Sequence, residues 1–570
     1  MSTIDWIILI GFLAFVVIFG IWKTRGKTNI KDYLLANKSV PWYTVTLSIM
    51  ATQASAITFL STPGQAYVDG MRFVQFYLGL PLAMIILSIT AVPIFHKLNV
   101  YTAYEYLEQR FDLKNRALGS ILFLIQRGLA AGFTIFAPAL IISVLLGWDI
   151  RLTIFVIGGL VVLYTTSGGT DAVNKTHLLQ MLIITVGMFS AFVTIFRLLP
   201  PDISLLDAAQ VAGKMGKLNA ITFSFDWKDR YNFWTGLIGG TFLALSYFGT
   251  DQSQVQRYLA GSSITQSRMG LLANGIVKIP MQFTILFIGA MVFVFYQFVT
   301  PPLFFNSVET EKVKNSAYAA EYQKLENEYE QVHKEKQVYI REMLAANHSD
   351  NGMELNNTIQ KLQSTRASES GIRDEATKLI QKANPAADPN DTNYIFLSFV
   401  INFLPIGFVG LVLAAILSAS MSSTSAELNA LASTTVVDIY KRMYKKKAPE
   451  RHYVIASKLA TIFWGIYAIS FALYANRLGT LIEAVNILGS LFYGTVLGIF
   501  LIAFYLKKIG GNATFLAALV AELIVIACFI FTEIPYLWFN VIGCVILIVI
   551  AYLINPLFTV NKIKVTNNNY

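Results

Sequence analysis

Apolar runs of about 20 residues recur along this chain, separated by short polar stretches. Each is long enough to cross a hydrocarbon core of about 30 Å as a helix, whereas barrel strands would be half that length and would alternate. The pattern therefore predicts an all-α polytopic membrane protein. Thirteen spans are expected, at residues 5–22, 42–62, 72–96, 119–146, 152–166, 176–199, 233–258, 270–299, 405–440, 453–474, 480–506, 512–531 and 536–555. Composition agrees, with 55% hydrophobic and only 14% charged residues, where a soluble domain carries about 25% charged. The first run lacks both a basic segment before it and a small-residue cleavage site after it, so it reads as a retained helix and not a signal peptide.

A net charge of +10 would suit nucleic acid, but its distribution points elsewhere. Alternate inter-span loops hold 23 lysines and arginines, among them Lys23, Arg25, Lys97, Arg116 and the Lys441–Arg451 cluster, against seven in the opposite short loops. That bias is topogenic. It predicts a plasma (inner) membrane protein with its N-terminus outside and its C-terminus in the cytoplasm, and no nucleic-acid partner. The two cysteines, Cys528 and Cys544, both lie in apolar runs and imply neither a disulfide framework nor a metal site.

Six segments follow from this pattern. Residues 1–41 give the first helix and a cytoplasmic loop, 42–199 spans 2–6, and 200–302 an outer loop with spans 7 and 8. Residues 303–392 form a soluble insertion, 393–506 spans 9–11, and 507–570 spans 12 and 13 with the C-terminus. The insertion holds 11 Lys/Arg and 15 Asp/Glu. Tyr318, Tyr322, Leu325, Tyr329, Val332, Lys336, Tyr339 and Met343 recur in alternating steps of four and three, a heptad-like seam. A turn at Asn347–Gly352 and a second helical stretch to Leu379 predict an antiparallel hairpin projecting from the membrane on the periplasmic side. A solvated insertion without a transport role, a docking surface for a periplasmic partner and a lid are the readings it allows.

Polar residues crowd three spans. Span 2 carries Thr52, Gln53, Ser55 and Thr58 among alanines, which suits either close packing or an unwound segment whose carbonyls face a cavity. Span 9 packs six hydroxyl residues into Ser418–Ser425, followed by Glu427 and Asn429. Hydroxyls with exposed carbonyls make a hard, mostly neutral oxygen cage, which fits a monovalent cation such as sodium, whereas a divalent cation would recruit more carboxylates. Span 7 has Gly236, Gly239 and Gly240, then Tyr247-Phe-Gly-Thr-Asp251-Gln252. Interrupted spans 2 and 7 lie five apart, which points to inverted repeats of spans 2–6 and 7–11 with a midplane site between them.

Four stretches carry a family resemblance. They are Ala51-Thr-Gln-Ala-Ser-Ala-Ile-Thr-Phe, Tyr164-Thr-Thr-Ser-Gly-Gly-Thr-Asp-Ala-Val, Thr250-Asp-Gln-Ser-Gln-Val-Gln-Arg-Tyr-Leu-Ala-Gly, and Ser418 through Asp438-Ile-Tyr-Lys. The chain resembles the sodium/solute symporter family, which includes sodium-coupled sugar, proline, pantothenate and sialic acid carriers. The resemblance implies a leucine-transporter-like 5+5 inverted-repeat core and symport of a small organic solute with Na+, the coupling ion, and no organic cofactor. It places the sodium site on the carbonyls of Ala51, Ala54 and Ala419 and the hydroxyls of Ser422 and Ser423, and the inner gate at Tyr247. It suggests solute contacts from Gln53, Ser55, Thr58, Gln75, Phe76, Arg127 and Asp251. A second sodium site of some members needs an aspartate where this chain reads Thr176-His177, and a serine pair where it reads Ser425-Ala426, so one sodium per cycle is expected.

Arg127 is costly in hydrocarbon and must face a cavity or a partner. It would hold a solute carboxylate, or serve structurally. Glu427 would pair with a membrane arginine or a lysine such as Lys278, act as a proton-sensitive group, or simply face the cavity, and a structural role is expected. A membrane sensor that binds solute without moving it is the rival from another class. An enzyme is disfavoured, because the sequence has no P-loop, HExxH, GxSxG or paired carboxylates at catalytic spacing.

Overall fold

The computed structural model describes residues 1–24, 40–98, 100–349, 351–475 and 480–566. Arg25 and Arg477 of the loop-charge pattern lie outside them, as do the side chains of Lys175, Thr176 and His177. The regular elements among the described residues are helices, with one isolated bridge between Val40 and Gly261.

Nine of these helices are long and apolar enough to cross a bilayer. One of them, Ala56–Leu98, runs through the end of span 2 and all of span 3. Shorter apolar helices at Thr3–Phe15, Ile150–Thr166 and Thr235–Gly249 fall where spans 1, 5 and 7 are expected. A fourth, Thr392–Phe403, has 12 residues. At 1.5 Å per residue it reaches only about 18 Å, too short to cross.

Span 2 breaks in the middle. Helix Trp42–Gln53 ends and helix Ala56–Asp69 begins, with Ala54 at φ −82°, ψ 65° between them. The backbone ladder closes with Ala54 N–H donating to Met50 O (2.8 Å) and resumes with Thr58 N–H donating to Ser55 O (3.0 Å). The Thr58 hydroxyl takes up the Gln53 carbonyl (3.0 Å), which holds the break open. Span 7 breaks in the same manner. Helix Gly240–Gly249 stops at Thr250, and Asp251 caps helix Gln252–Leu259 by accepting from Ser253 N–H at 2.9 Å. Broken helices at these two positions are the architecture that the inverted repeat requires.

The outer half of span 2 is wedged tightly. A Cβ at Gly64 would sit 2.1 Å from the Thr392 carbonyl oxygen, and one at Gly289 of span 8 would sit 2.2 Å from that of Pro63. Only glycine allows either approach. At the far end of span 9, buried Asp438 accepts from Thr102 Oγ1 (2.7 Å) and Arg116 Nε (2.8 Å). Glu108 joins Arg116 (2.8 Å) and Arg442 to the same cluster.

The hairpin forms, from helices Ala319–His348 and Gly352–Ala383. Its seam begins as expected with Tyr322, Leu325 and Tyr329, but His333 and Ile340 are buried where Val332 and Tyr339 were expected. A straight helix of 3.6 residues per turn drifts off a strict heptad by about 20° per repeat.

The hairpin that is expected to project from the membrane also makes side contacts with the rest of the chain. The hairpin lies on the membrane domain, where Gln337 Nε2 donates to Phe298 O (3.0 Å) and Arg341 pairs with Asp202 (3.2 Å). Asn347 reaches Gln210 (3.0 Å) and His348 reaches Asp207 (2.8 Å). Buried apolar hairpin residues Ile340, Met343, Leu344 and Leu362 join the main core beside these polar contacts. The insertion enters and leaves at one point, since Phe305 N–H donates to Asp391 Oδ2 at 2.8 Å.

Candidate functional site

Between the two broken helices lies a central cavity. Its walls include Gln53, Ser55, Thr58, Phe76, Tyr77, Tyr247, Lys278, Asn486 and Tyr493. Helix breaks expose backbone and small polar side chains here that a continuous span would turn into its own hydrogen bonds.

Five of the seven expected solute contacts, Gln53, Ser55, Thr58, Phe76 and Arg127, line this cavity, as does Tyr247. The other two are corrections. Gln75 is fully buried toward the loop before span 7, donating to Tyr231 O (2.7 Å) and accepting from Thr222 N–H (2.9 Å). It sits on a 3₁₀ segment, Gly70–Tyr77, which turns it away from its neighbour Phe76. Asp251 is drawn beneath the cavity by its ion pair with Arg127.

Arg127 has both a cavity and partners. Its Nη1 pairs with Glu427 Oε1 at 3.1 Å, and its Nη2 pairs with Asp251 and donates to the Tyr493 hydroxyl at 2.8 Å. Tyr493 O–H donates in turn to Asp251 Oδ2 (3.2 Å), and Thr134 Oγ1 to Glu427 Oε2 (3.0 Å). The guanidinium lies 5.4 Å from the Tyr247 ring centroid. Tyr247 leans on Tyr493 at 5.9 Å and its hydroxyl accepts from Gln254 Nε2 at 2.7 Å. These side chains make a continuous plug below the cavity. One arginine faces two carboxylates, so Arg127 brings no surplus positive charge to a solute.

Lys278 does. This span 8 side chain is 2% exposed, lines the cavity, and has no ion pair among the described residues. Its ammonium is 5.8 Å from the Tyr77 ring centroid. Glu427 pairs with Arg127, so the alternative pairing with Lys278 does not form. Sequence reasoning considered Lys278 only as a counter-ion, because nothing local separates a paired lysine from a free one. It also passed over Asn486 and Tyr493, which lie far along the chain in span 11.

The residues expected to form the cation cage lie on span 2 around its break and on span 9. Ala51 and Ala54 lie at the gap in the span 2 ladder, and span 9 packs against both halves of span 2. Ser420 and Thr424 spend their hydroxyls on the carbonyls of Thr134 (2.6 Å) and Ser420 (2.8 Å). Ser422 Oγ is buried with no hydrogen-bond partner among the described residues. An orphaned buried hydroxyl oxygen there fits a hard monovalent cation as one of its ligands. Ser423 Oγ is held toward Ser420 O at 3.1 Å, and Ser425 Oγ meets Thr165 Oγ1 at 2.5 Å.

A broken-helix core around a central polar cavity is the architecture of a secondary transporter. The family model for the sodium:solute symporter family matches residues 33–325 and 377–521, and the chain belongs to that family. It is a sodium-coupled symporter of a small solute, embedded in the membrane, with Na+ as coupling ion. The unmatched stretch between the two blocks is the heart of the hairpin.

The chain is 25% identical to the sodium/sialic acid symporter NanT of Aliivibrio fischeri, over 98% of this chain and 94% of that protein. It is 24% identical to the sodium/sialic acid symporter SiaT of Proteus mirabilis, over 98% and 96%. It is 33% identical to the human sodium-coupled monocarboxylate transporter 1, over 47% of this chain and 44% of that one. A solved substrate-bound, outward-open sodium-coupled sialic acid symporter shares the fold, with a TM-score of 0.73 at 22% identity over 98% of each chain.

Proposed function

We propose that this symporter imports a small organic anion, one carrying a carboxylate, and that Lys278 is the charge that holds it. The carrying observation is the unpaired ammonium of Lys278 in a cavity whose other cation, Arg127, is already neutralised. A buried ammonium with no counter-ion is costly, and a bound carboxylate relieves that cost. The relatives named for sialic acid and monocarboxylate transport support this reading, because both names describe acids. Gln53, Ser55, Thr58 and Asn486 would hydrogen-bond the rest of the solute, and Phe76 and Tyr77 would pack on it.

Sodium binds, in this reading, at the Ala51, Ala54 and Ala419 carbonyls with Ser422 and Ser423. It fixes the break of span 2, which also carries solute contacts, so each ligand favours the other by about 1–3 kcal/mol. The Tyr247–Arg127–Asp251–Tyr493 plug is the inner gate and parts for release. One sodium moves per cycle, the N-terminus faces outward and the hairpin stands on the periplasmic side.

The test is uptake into proteoliposomes of labelled carboxylates, sialic acid among them, against neutral sugars, with and without an inward sodium gradient. Sodium-driven accumulation of an acid alone is expected. Accumulation of neutral sugars only sinks the anion reading, and binding without accumulation favours a sensor. Ser423→Ala is expected to raise the half-saturating sodium concentration about tenfold or more, as loss of one ligand to a charged group. Ser423→Thr, which keeps the hydroxyl, should stay near the parent value. Unchanged sodium dependence in Ser423→Ala overturns the cage assignment, and a sodium Hill coefficient near two (about 2) overturns single-sodium coupling.

A further inference from the structure

A second cavity, of about 230 Å³, lies between the hairpin and the membrane domain. The end of span 2, the outer end of span 8, the loop after helix Leu205–Lys214 and both hairpin helices contribute to it. Four cations face it, Lys217, Lys336, Arg366 and Arg373, against two carboxylates, Glu369 and Asp391.

Both carboxylates are already spent. Glu369 meets Lys336 at 2.5 Å and the His333 ring at 2.9 Å. Burial works to raise the Glu369 carboxyl, but the His333 and Lys336 contacts outweigh it and hold it below the usual range. Burial lowers the His333 imidazole, which keeps it neutral. Asp391 takes both contacts of Arg373 (2.8 and 3.0 Å) and the Phe305 N–H. Lys217 and Arg366 are left with no ion pair among the described residues.

Lys217 is 3% exposed. Its ammonium has one backbone acceptor, Val68 O, and lies 4.5 Å from the Phe293 ring centroid. The cavity also holds an orphaned acceptor, because buried Gln297 gives its Nε2 to Phe293 O (2.7 Å) while its Oε1 has no partner. Buried, unpaired Lys217 beside an unspent acceptor, with exposed Arg366 at the cavity rim, suits a ligand with a negative group and a donor.

We infer that this cavity binds a small hydroxy-carboxylate anion. Lys217 and Arg366 hold its carboxylate, and the Gln297 side-chain oxygen accepts one of its hydroxyls. The bound anion ties the end of span 2 and the outer end of span 8 to the hairpin and keeps the hairpin seated. The site is separate from the central cavity and does not rest on Lys278. Burial, with Arg366 next, brings the Lys217 ammonium down to about 7. Asp69 opposes that shift and Lys336 adds to it, and the remaining charges around the cavity are paired as described. Anion binding favours the charged form of Lys217, so affinity falls as pH rises through that value.

The test uses the full chain in lipid nanodiscs, with Cys528→Ala and Cys544→Ala, and an environment-sensitive dye on Ser370→Cys at the cavity wall. D-glucuronate is titrated with D-glucose as the neutral comparison. Glucuronate is expected to give a saturable signal, weaker above pH 7 than below it, and glucose none. Lys217→Gln is expected to weaken binding about tenfold or more, the value of a charge-assisted contact. Lys217→Arg should retain it, Gln297→Leu should weaken it, and Lys278→Gln should leave it unchanged. No saturable response to glucuronate, or equal affinity in Lys217→Gln, overturns the site. Loss of the signal in Lys278→Gln overturns its separateness from the central cavity.

Discussion

Arg127→Met is expected to destabilise the protein by about 3–5 kcal/mol, the range for removing one partner of a buried ion pair. Asp251 and Glu427 would then stand close together in the membrane interior with no cation between them. Tyr493 and Tyr247 would lose the guanidinium that both contact. Thermal unfolding of the purified protein in detergent measures the loss, and sodium leak into solute-free liposomes measures the opened gate. Arg127→Lys should recover only part of it, because an ammonium cannot present the planar fork that reaches Asp251, Glu427 and Tyr493 together. Adding Asp251→Asn and Glu427→Gln to Arg127→Met should recover stability without recovering transport. Stability equal to the parent in Arg127→Met alone would show that the three charges are not coupled as the geometry places them.

Lys278→Gln is expected to weaken uptake of a carboxylate solute by between about tenfold and about a hundredfold. That follows from about 1.5–3 kcal/mol for a hydrogen bond to a charged group. Sodium dependence and thermal stability should hold, or improve, because the substitution removes a buried charge that lacks a partner. The contrast with Arg127→Met is the useful part, since both remove a buried cation and only one of those cations is paired. The half-saturating solute concentration and sodium affinity, measured on the same vesicles, separate a lost solute anchor from a damaged fold. Unchanged uptake in Lys278→Gln would overturn its role as the solute anchor.

The periodicity of apolar runs carried the spans, because a helix in lipid must satisfy its backbone internally and its length is set by the bilayer. The breaks in spans 2 and 7 were legible for the same reason, as polar residues where a plain span needs none. Relations between distant residues were not legible. Arg127 finds Asp251 across 124 positions and Glu427 across 300, and no local pattern reports which carboxylate answers which cation. Gln75 and Phe76 are adjacent, yet a 3₁₀ segment sends one to the loop before span 7 and the other to the cavity. The hairpin's helices were readable from their seam. Its seat on the membrane domain was not, because the helical period does not report that Ile340, Met343 and Leu362 join the main core instead of the hairpin's own seam.

Phe305 and Asp391 lie 86 positions apart and a single hydrogen bond from each other. The chain therefore leaves the transporter core and returns to it through one doorway. What lies between is a cassette, whose length and content can change while the helices on either side keep their places. A short glycine linker across that doorway should let the core fold without the hairpin, and another small domain with neighbouring termini could be spliced in at the same address.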